Sequence, residues 1–248
     1  SITRFRTAFI CDIKALLSLF QLLNPPSSSA NTKNMSQKRA LVLITDGADE
    51  IQVTVTANVL RRANINVVVA GVALKNPAYA ECSRGVKIIP DISFEHKTPD
   101  WDQNAFDCVV IPGGVEGAHT LSWLPGVLRL LNDYNKAGKI TAFICVGTVI
   151  ALSAGVGLGG NITSHPDVRG ELENAYNYSE DRVVVDGTLI TSRGAGSTFA
   201  FAMVIVEQLL GRQVGRFKVT RSRFVALDIT YAMSYITPSF SLTGRRRN

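Results

Sequence analysis

KRALVLITDGADEIQVTVTANVLRRANINVVVAG, residues 38–71, sets two apolar β-branched runs on either side of one stretch of helical length. ALVLIT (40–45) has the length and unbroken apolar character of a buried strand, and NVVVAG (66–71) repeats it. VTVTANVLRRA between them reads as a helix despite its β-branched residues.

The same alternation continues downstream. A short strand is expected at 86–89, a strand at DCVVIP (107–112), a helix over 125–137 and a strand at ITAFIC (140–145). TVIALSAGVG then reads as a small-residue helix, Asp186-Gly187 as the tip of a β-hairpin, and TFAFAMVIVEQLLG as an apolar helix. Val- and Ile-rich strands alternating with helices imply an α/β fold with a mostly parallel sheet and helices on both faces. In such a sheet, ligand-binding and catalytic residues gather in the loops beyond the carboxyl ends of the strands.

With 248 residues, 46% of them hydrophobic, the chain has enough apolar material for a packed core. Its net charge of +6 would suit a nucleic-acid or membrane-surface partner if the charge were clustered on the folded part. It is not: residues 38–218 hold 17 Lys and Arg against 18 Asp and Glu, while the flanks hold 9 against 2. Nucleic acid and membrane are therefore not the expected partners. Cys11, Cys82, Cys108 and Cys145 form no C-x-x-C pair and have three histidines for company, so neither a disulfide framework nor a metal site is indicated. A reducing compartment fits this usage, the cytosol first, with nucleus and mitochondrion as alternatives.

Residues 1–36 form an expected N-terminal extension. They carry Arg4, Arg6 and Lys14, the apolar run LLSLFQLL and the loop-like NPPSSSANTKN. The run is too short for a transmembrane helix; it reads as a targeting-like segment, or as upstream sequence preceding a start at Met35. The folded domain is expected over 37–219. Residues 220–248 lack clear periodicity and read as a divergent, basic, poorly ordered tail.

Within the domain, Cys145 ends an apolar strand and precedes Val146, Gly147 and a helix, the pattern of a nucleophile elbow. The amino end of that helix should favour the thiolate, although a cysteine at a strand end also serves as a small buried hydrophobe. Gly113 and Gly114 follow a buried strand and could bring backbone N–H groups to a substrate oxygen, or simply make a tight turn. His165 could exchange a proton with the thiol or be an ordinary loop residue. Asp49 and Glu50 could supply a carboxylate or cap a helix. Arg62 and Arg84 could bind an anion.

Together KRALVLITDGADE, VLRRANINVVVAG, CSRGVKIIPD, FDCVVIPGG, FICVGT, SHP, SEDRVVVDGTLITSRG and FAFAMVIVEQLLG resemble, in order, the Parkinson-associated protein deglycase branch of the ThiJ/PfpI superfamily. The resemblance covers about residues 37–219 and implies a flavodoxin-like doubly wound sheet, usually in a homodimer. It places the reactive, easily oxidised cysteine at Cys145, the oxyanion-hole turn at Gly113 and Gly114 with the amide of Val146, and the neighbouring histidine at His165. Arg62 and Arg84 match positions near the dimer interface and pocket mouth, and Arg193 with Gly194 a loop beside the site. The implied chemistry is cofactor-free conversion of methylglyoxal or glyoxal, or repair of early glycation adducts; redox sensing and holdase chaperoning are the alternative. One position departs from the pattern: the family's proton-carrying glutamate falls on Gln52, whose amide can donate a hydrogen bond but cannot exchange a proton. Val146 and Thr148 likewise replace the family's usual alanine and proline.

Overall fold

The computed structural model describes residues 37–94, 102 and 105–211; the N-terminal extension and the C-terminal tail expected above lie outside them. A seven-stranded sheet runs in the order β10-β11-β7-β6-β1-β2-β5. Its strands are β1 (Arg39–Ile44), β2 (Asn66–Gly71), β5 (Ile92–Ser93), β6 (Cys108–Ile111), β7 (Ile140–Ile144), β10 (Val183–Asp186) and β11 (Leu189–Ser192), while β8 (Asn161–Ile162) and β9 (Asn177–Tyr178) form a separate parallel pair. Every pairing is parallel except the β10–β11 hairpin at one edge, whose register sets Asp186 opposite Leu189 around Gly187. This is the flavodoxin-like arrangement.

Alternation along β1 shows why the strands read as unbroken apolar runs. Ala40, Val42 and Ile44 enter one core cluster, while Leu41 and Leu43 enter the other on the opposite sheet face. The first cluster is closed by α1 (Glu50–Arg62) and α6 (Thr198–Leu210), through residues such as Val53, Leu60, Phe201 and Ile205. The second is closed by α2 (Val115–Ser122), α3 (Pro125–Lys136), α4 (Val149–Ser153) and α5 (Arg169–Leu172), through Leu121, Leu130, Ile150 and Leu172. Helix α1 forms despite six β-branched residues because Asp49 caps its first turn and Val53, Thr56, Val59 and Leu60 are buried against the sheet.

Three sequence expectations change in detail. Residues 86–89 do not join the main sheet. Of these, β4 (Lys87–Ile88) pairs antiparallel with β3 (Ala80–Glu81) in a separate ribbon, because Gly85, at φ 83°, turns the chain back on itself. Strand β7 stops at Ile144, since Cys145 takes φ 65° and leaves the extended region. The small-residue helix is short, a 3-10 turn over Cys145–Thr148 leading into α4, and Gly155 at φ 65° follows its end.

From β1 the chain moves to β2 on one side and later to β6 on the other. The switch point between β1 and β6 opens a crevice beyond their carboxyl ends, and β7 delivers its own end beside it. Among the described residues no helix is long and apolar enough to cross a membrane.

Candidate active site

Cys145 sits where the strand-to-helix elbow expects it. It is one of three non-glycine described residues with positive φ, a conformation that costs about 1–3 kcal/mol and persists where surrounding packing enforces it. The elbow presents a half-buried thiol to a cavity of about 1030 Å³ that also meets Gly114, Val146, Glu50, Arg84 and His165. The packing is tight: a Cβ added at Gly113 would lie 2.6 Å from the Cys145 Cβ and 3.1 Å from its Sγ.

Of the two glycines expected to face a substrate oxygen, only one has its N–H available. The Gly113 N–H donates to Gln52 Oε1 at 2.6 Å in a buried hydrogen bond. The Val146 and Gly114 N–H groups and the Gln52 side chain instead favour a thiolate on Cys145. Gln52 is 1% exposed, so a residue that looked like a lost proton carrier is a fully buried hydrogen-bonding bridge. Its Nε2 donates to Asp49 Oδ2 at 3.1 Å.

Asp49 does more than cap. Its Oδ1 accepts from the Ile51 and Gln52 N–H groups while Oδ2 holds the Gln52 amide. Glu50 is spent elsewhere: its carboxylate accepts from the Ser83 hydroxyl and the Arg84 N–H, fixing the turn that carries Arg84 to the cavity. Asp46, which the sequence reading passed over, accepts from the Lys75 and Glu81 N–H groups at 2.8 Å each. It thereby pins the 73–82 segment over one side of the cavity. Its only sequence signal is an Asp-Gly pair after a buried strand, which any turn could produce.

The expectation that the elbow favours the thiolate holds only in part. Burial raises the Cys145 pKa above the ordinary 9.0 and Asp49 pushes the same way; hydrogen bonds from Val146, Gln52 and Gly114 oppose them without cancelling the rise. Cys82, in the cavity wall, is pushed up to about 11 by burial and by Glu50, Asp49 and Asp46. Fully buried Cys108 is raised further by burial. Reactivity follows thiolate fraction and access. Under mild peroxide, Cys145 should therefore gain oxygen before Cys82, and Cys108 only on unfolding. Peptide mass spectrometry over a peroxide titration reads this order, and equal oxidation of all three would contradict it.

His165 lies beside the elbow, its backbone N–H donating to the Cys145 carbonyl at 3.3 Å. Its Nδ1 lies 3.3 Å from the Asp167 backbone nitrogen and 3.4 Å from the Asp167 carboxylate. Gly194 is a neighbour of His165, whose Cδ2 would stand 3.8 Å from an added Cβ. Arg193 turns from the cavity to Glu180, with which it forms an ion pair. Arg62 is in the last turn of α1, bonded to Asn58, at the end of the helix opposite the site. The structure thus gathers Cys145, Gln52, Gly113, Gly114, Val146, His165 and Arg84, and sets Arg193 and Arg62 outside. Thr148, buried behind the elbow, directs its hydroxyl to the Thr163 carbonyl at 3.4 Å, which accommodates a polar residue there. Among the described residues no group of three or more His, Cys, Asp or Glu is placed to hold a metal ion.

A doubly wound parallel sheet with a thiol on a strained elbow beside its switch point defines the class: a flavodoxin-like α/β protein with a cysteine-centred cavity. Residues 38–208 match the DJ-1/PfpI family, and the chain belongs to that family. It is 43% identical over 184 residues to the Parkinson disease protein 7 homolog of Danio rerio, covering 73% of this chain and 94% of that protein. It is 35% identical over 178 residues to the glutathione-independent glyoxalase DJR-1.2 of Caenorhabditis elegans, covering 71% and 91%. Among solved structures, Drosophila melanogaster DJ-1beta superposes with a TM-score of 0.69 at 38% identity, over 77% of this chain and all of that one.

Proposed function

We propose that this protein is a cysteine-dependent, cofactor-free glyoxalase or protein deglycase acting on methylglyoxal, glyoxal or early glycation adducts, with turnover limited by Gln52. The observation that carries this reading is one strained, half-buried thiol, packed against Gly113 and opening with Gly114 and Val146 onto the cavity. Its relatives named as glutathione-independent glyoxalases support it. A cavity of about 1030 Å³ also exceeds what a three-carbon dicarbonyl fills, leaving room for the side chain that bears a glycation adduct.

In this reading the Cys145 thiol passes its proton to His165 or a water, and its sulfur bonds to the aldehyde carbon as the carbonyl π pair moves onto oxygen. The Gly114 and Val146 N–H groups, which the thiolate releases as its charge passes to oxygen, then hold that oxygen. Proton return to the hemithioacetal oxygen falls to His165 or water, because Gln52 has no proton to give. Replacing Cys145 by alanine should abolish methylglyoxal consumption while leaving the far-UV circular dichroism unchanged. Equal rates for the Cys145→Ala variant and its parent would remove the enzyme reading.

Gln52 itself favours a second reading, an oxidative-stress sensor or holdase. A sulfinate on Cys145 is an acceptor surrounded by donors and needs no proton carrier. A gain of two oxygens confined to Cys145, in a protein inert toward methylglyoxal, would favour it.

A further inference from the structure

We infer that Asp49 is a positioning residue for Cys145: its carboxylate fixes the Gln52 amide so that Nε2, and not Oε1, faces the sulfur. The inference rests on the reading of Cys145 as the reactive residue, but it concerns the thiol alone and requires no substrate.

A carboxamide has two ends of nearly the same shape, and its neighbours decide which way it points. Gln52 Oε1 accepts the Gly113 N–H at 2.6 Å, and Nε2 donates to Asp49 Oδ2 at 3.1 Å. Nε2 has two hydrogens, so the second is left for the sulfur, which lies with Gln52 around Gly113 and whose thiolate the Gln52 side chain favours. A reversed amide would set Nε2 against the Gly113 N–H, donor to donor, and Oε1 against the Asp49 carboxylate and the sulfur, acceptor to acceptor. At 1% exposure, no solvent is at hand to relieve either conflict.

Asp49 is in turn immobilised. Its Oδ1 accepts from the Ile51 and Gln52 N–H groups, and its own N–H donates to the Gly113 carbonyl at 2.9 Å. One carboxylate oxygen serves the helix and the other serves the amide. Asp49 therefore acts on the thiol by two routes of opposite sign. Through space its charge disfavours the thiolate, and through the amide it secures a donor that favours it. The other charged groups around the cavity, Asp46, Glu50, Lys75, Glu81, Arg84, Glu116, His165 and Asp167, are common to both backgrounds and so drop out of the comparison.

Substituting Asp49→Asn separates the routes. Asparagine caps as well as aspartate, so Oδ1 keeps the helix and Nδ2 takes the place of Oδ2, facing Nε2 donor to donor. The experiment uses the full chain and measures iodoacetamide alkylation of Cys145 against pH, read peptide by peptide so that the other cysteines do not contribute. Asp49→Asn is introduced into the native protein and into the Gln52→Met variant, which has no amide to orient. In the Gln52→Met background the substitution removes only a charge, and the Cys145 profile moves to lower pH. In the native background it also takes away the acceptor that holds Nε2 and sets a donor against it, and the profile should lie about one to two pH units above what the charge alone predicts, the size of a charge-assisted hydrogen bond. The same shift in both backgrounds overturns the inference. Asp49→Ser, which keeps a capping hydroxyl but has no atom to hold Nε2, gives a second reading with the same expected sign if the asparagine variant folds poorly. Because alkylation needs no aldehyde turnover, the profile decides this point even in a protein that consumes no methylglyoxal.

Discussion

Replacing Gln52 by glutamate is expected to raise methylglyoxal consumption by about 10²–10⁴-fold in kcat/KM, the usual worth of a positioned general acid or base. The geometry gives more than a residue exchange. One oxygen of the new carboxyl would take over the Gly113 N–H now held by Gln52 Oε1, and the other would stand where Nε2 now lies, 3.1 Å from Asp49 Oδ2. Two carboxylates at that distance cannot both ionise, so the pair retains one proton through neutral pH; the burial of position 52 acts in the same direction. That shared proton would sit beside the Cys145 sulfur, where a hemithioacetal oxygen needs it. The measurement is the rate of methylglyoxal loss by the parent and the Gln52→Glu variant, each with a Cys145→Ala partner as blank. A parent as fast as the variant shows that another group already carries the proton and that Gln52 does not limit turnover. Two inactive proteins would move the function to the redox reading.

The second large effect is on the fold at the site. Gly114→Ala should lower stability by about 2–5 kcal/mol, which for a domain of this size is a fall of about 5–15 °C in Tm. Gly114 has φ 102°, and a Cβ there would come within 2.1 Å of the Gly47 carbonyl oxygen and 2.9 Å of the Asp49 nitrogen. Both are backbone atoms of the loop leaving β1, so no side-chain rotation relieves the overlap. That loop must shift, carrying Asp49 and the cap of α1 with it, and the Gly114 N–H loses its aim at the sulfur. Gly138→Ala is the control: φ is 65° there, but nothing lies within 4 Å of an added Cβ, so only the backbone strain of about 1 kcal/mol applies. Thermal unfolding followed by circular dichroism compares the two, and equal losses would show that the contact with the β1 loop carries no weight.

Much of this molecule could be read from neighbouring residues along the chain. The β1–α1–β2 unit, the hairpin at Asp186-Gly187 and the elbow at Cys145 all appear close to their expected boundaries. Helix α2 was missed because it begins directly after Pro112-Gly113-Gly114, read as a turn, and includes Gly117. The edge strand β5 is two residues long, too short for any periodicity to register. The site divides in the same way. Pattern and resemblance point to Cys145, Gly114, Val146, His165 and Gln52 as candidates, whereas neither points to Asp46 or to the second role of Asp49.

The sequence by itself determined the class of fold, the place of the elbow thiol and the absence of a carboxyl at position 52. Those depend on strand and helix periodicity and on residue identity, both of which are local properties. Only the tertiary structure decided that the Gly113 N–H is engaged by Gln52, a partner 61 positions away in the chain. It also decided that Arg193 pairs with Glu180 and that burial outweighs the hydrogen bonds on the Cys145 sulfur. Each of these is a competition among groups brought together by the packing of β1, β6 and β7. A donor with several possible acceptors, or a thiol between burial and hydrogen bonding, takes its state from distances that the order of residues does not contain.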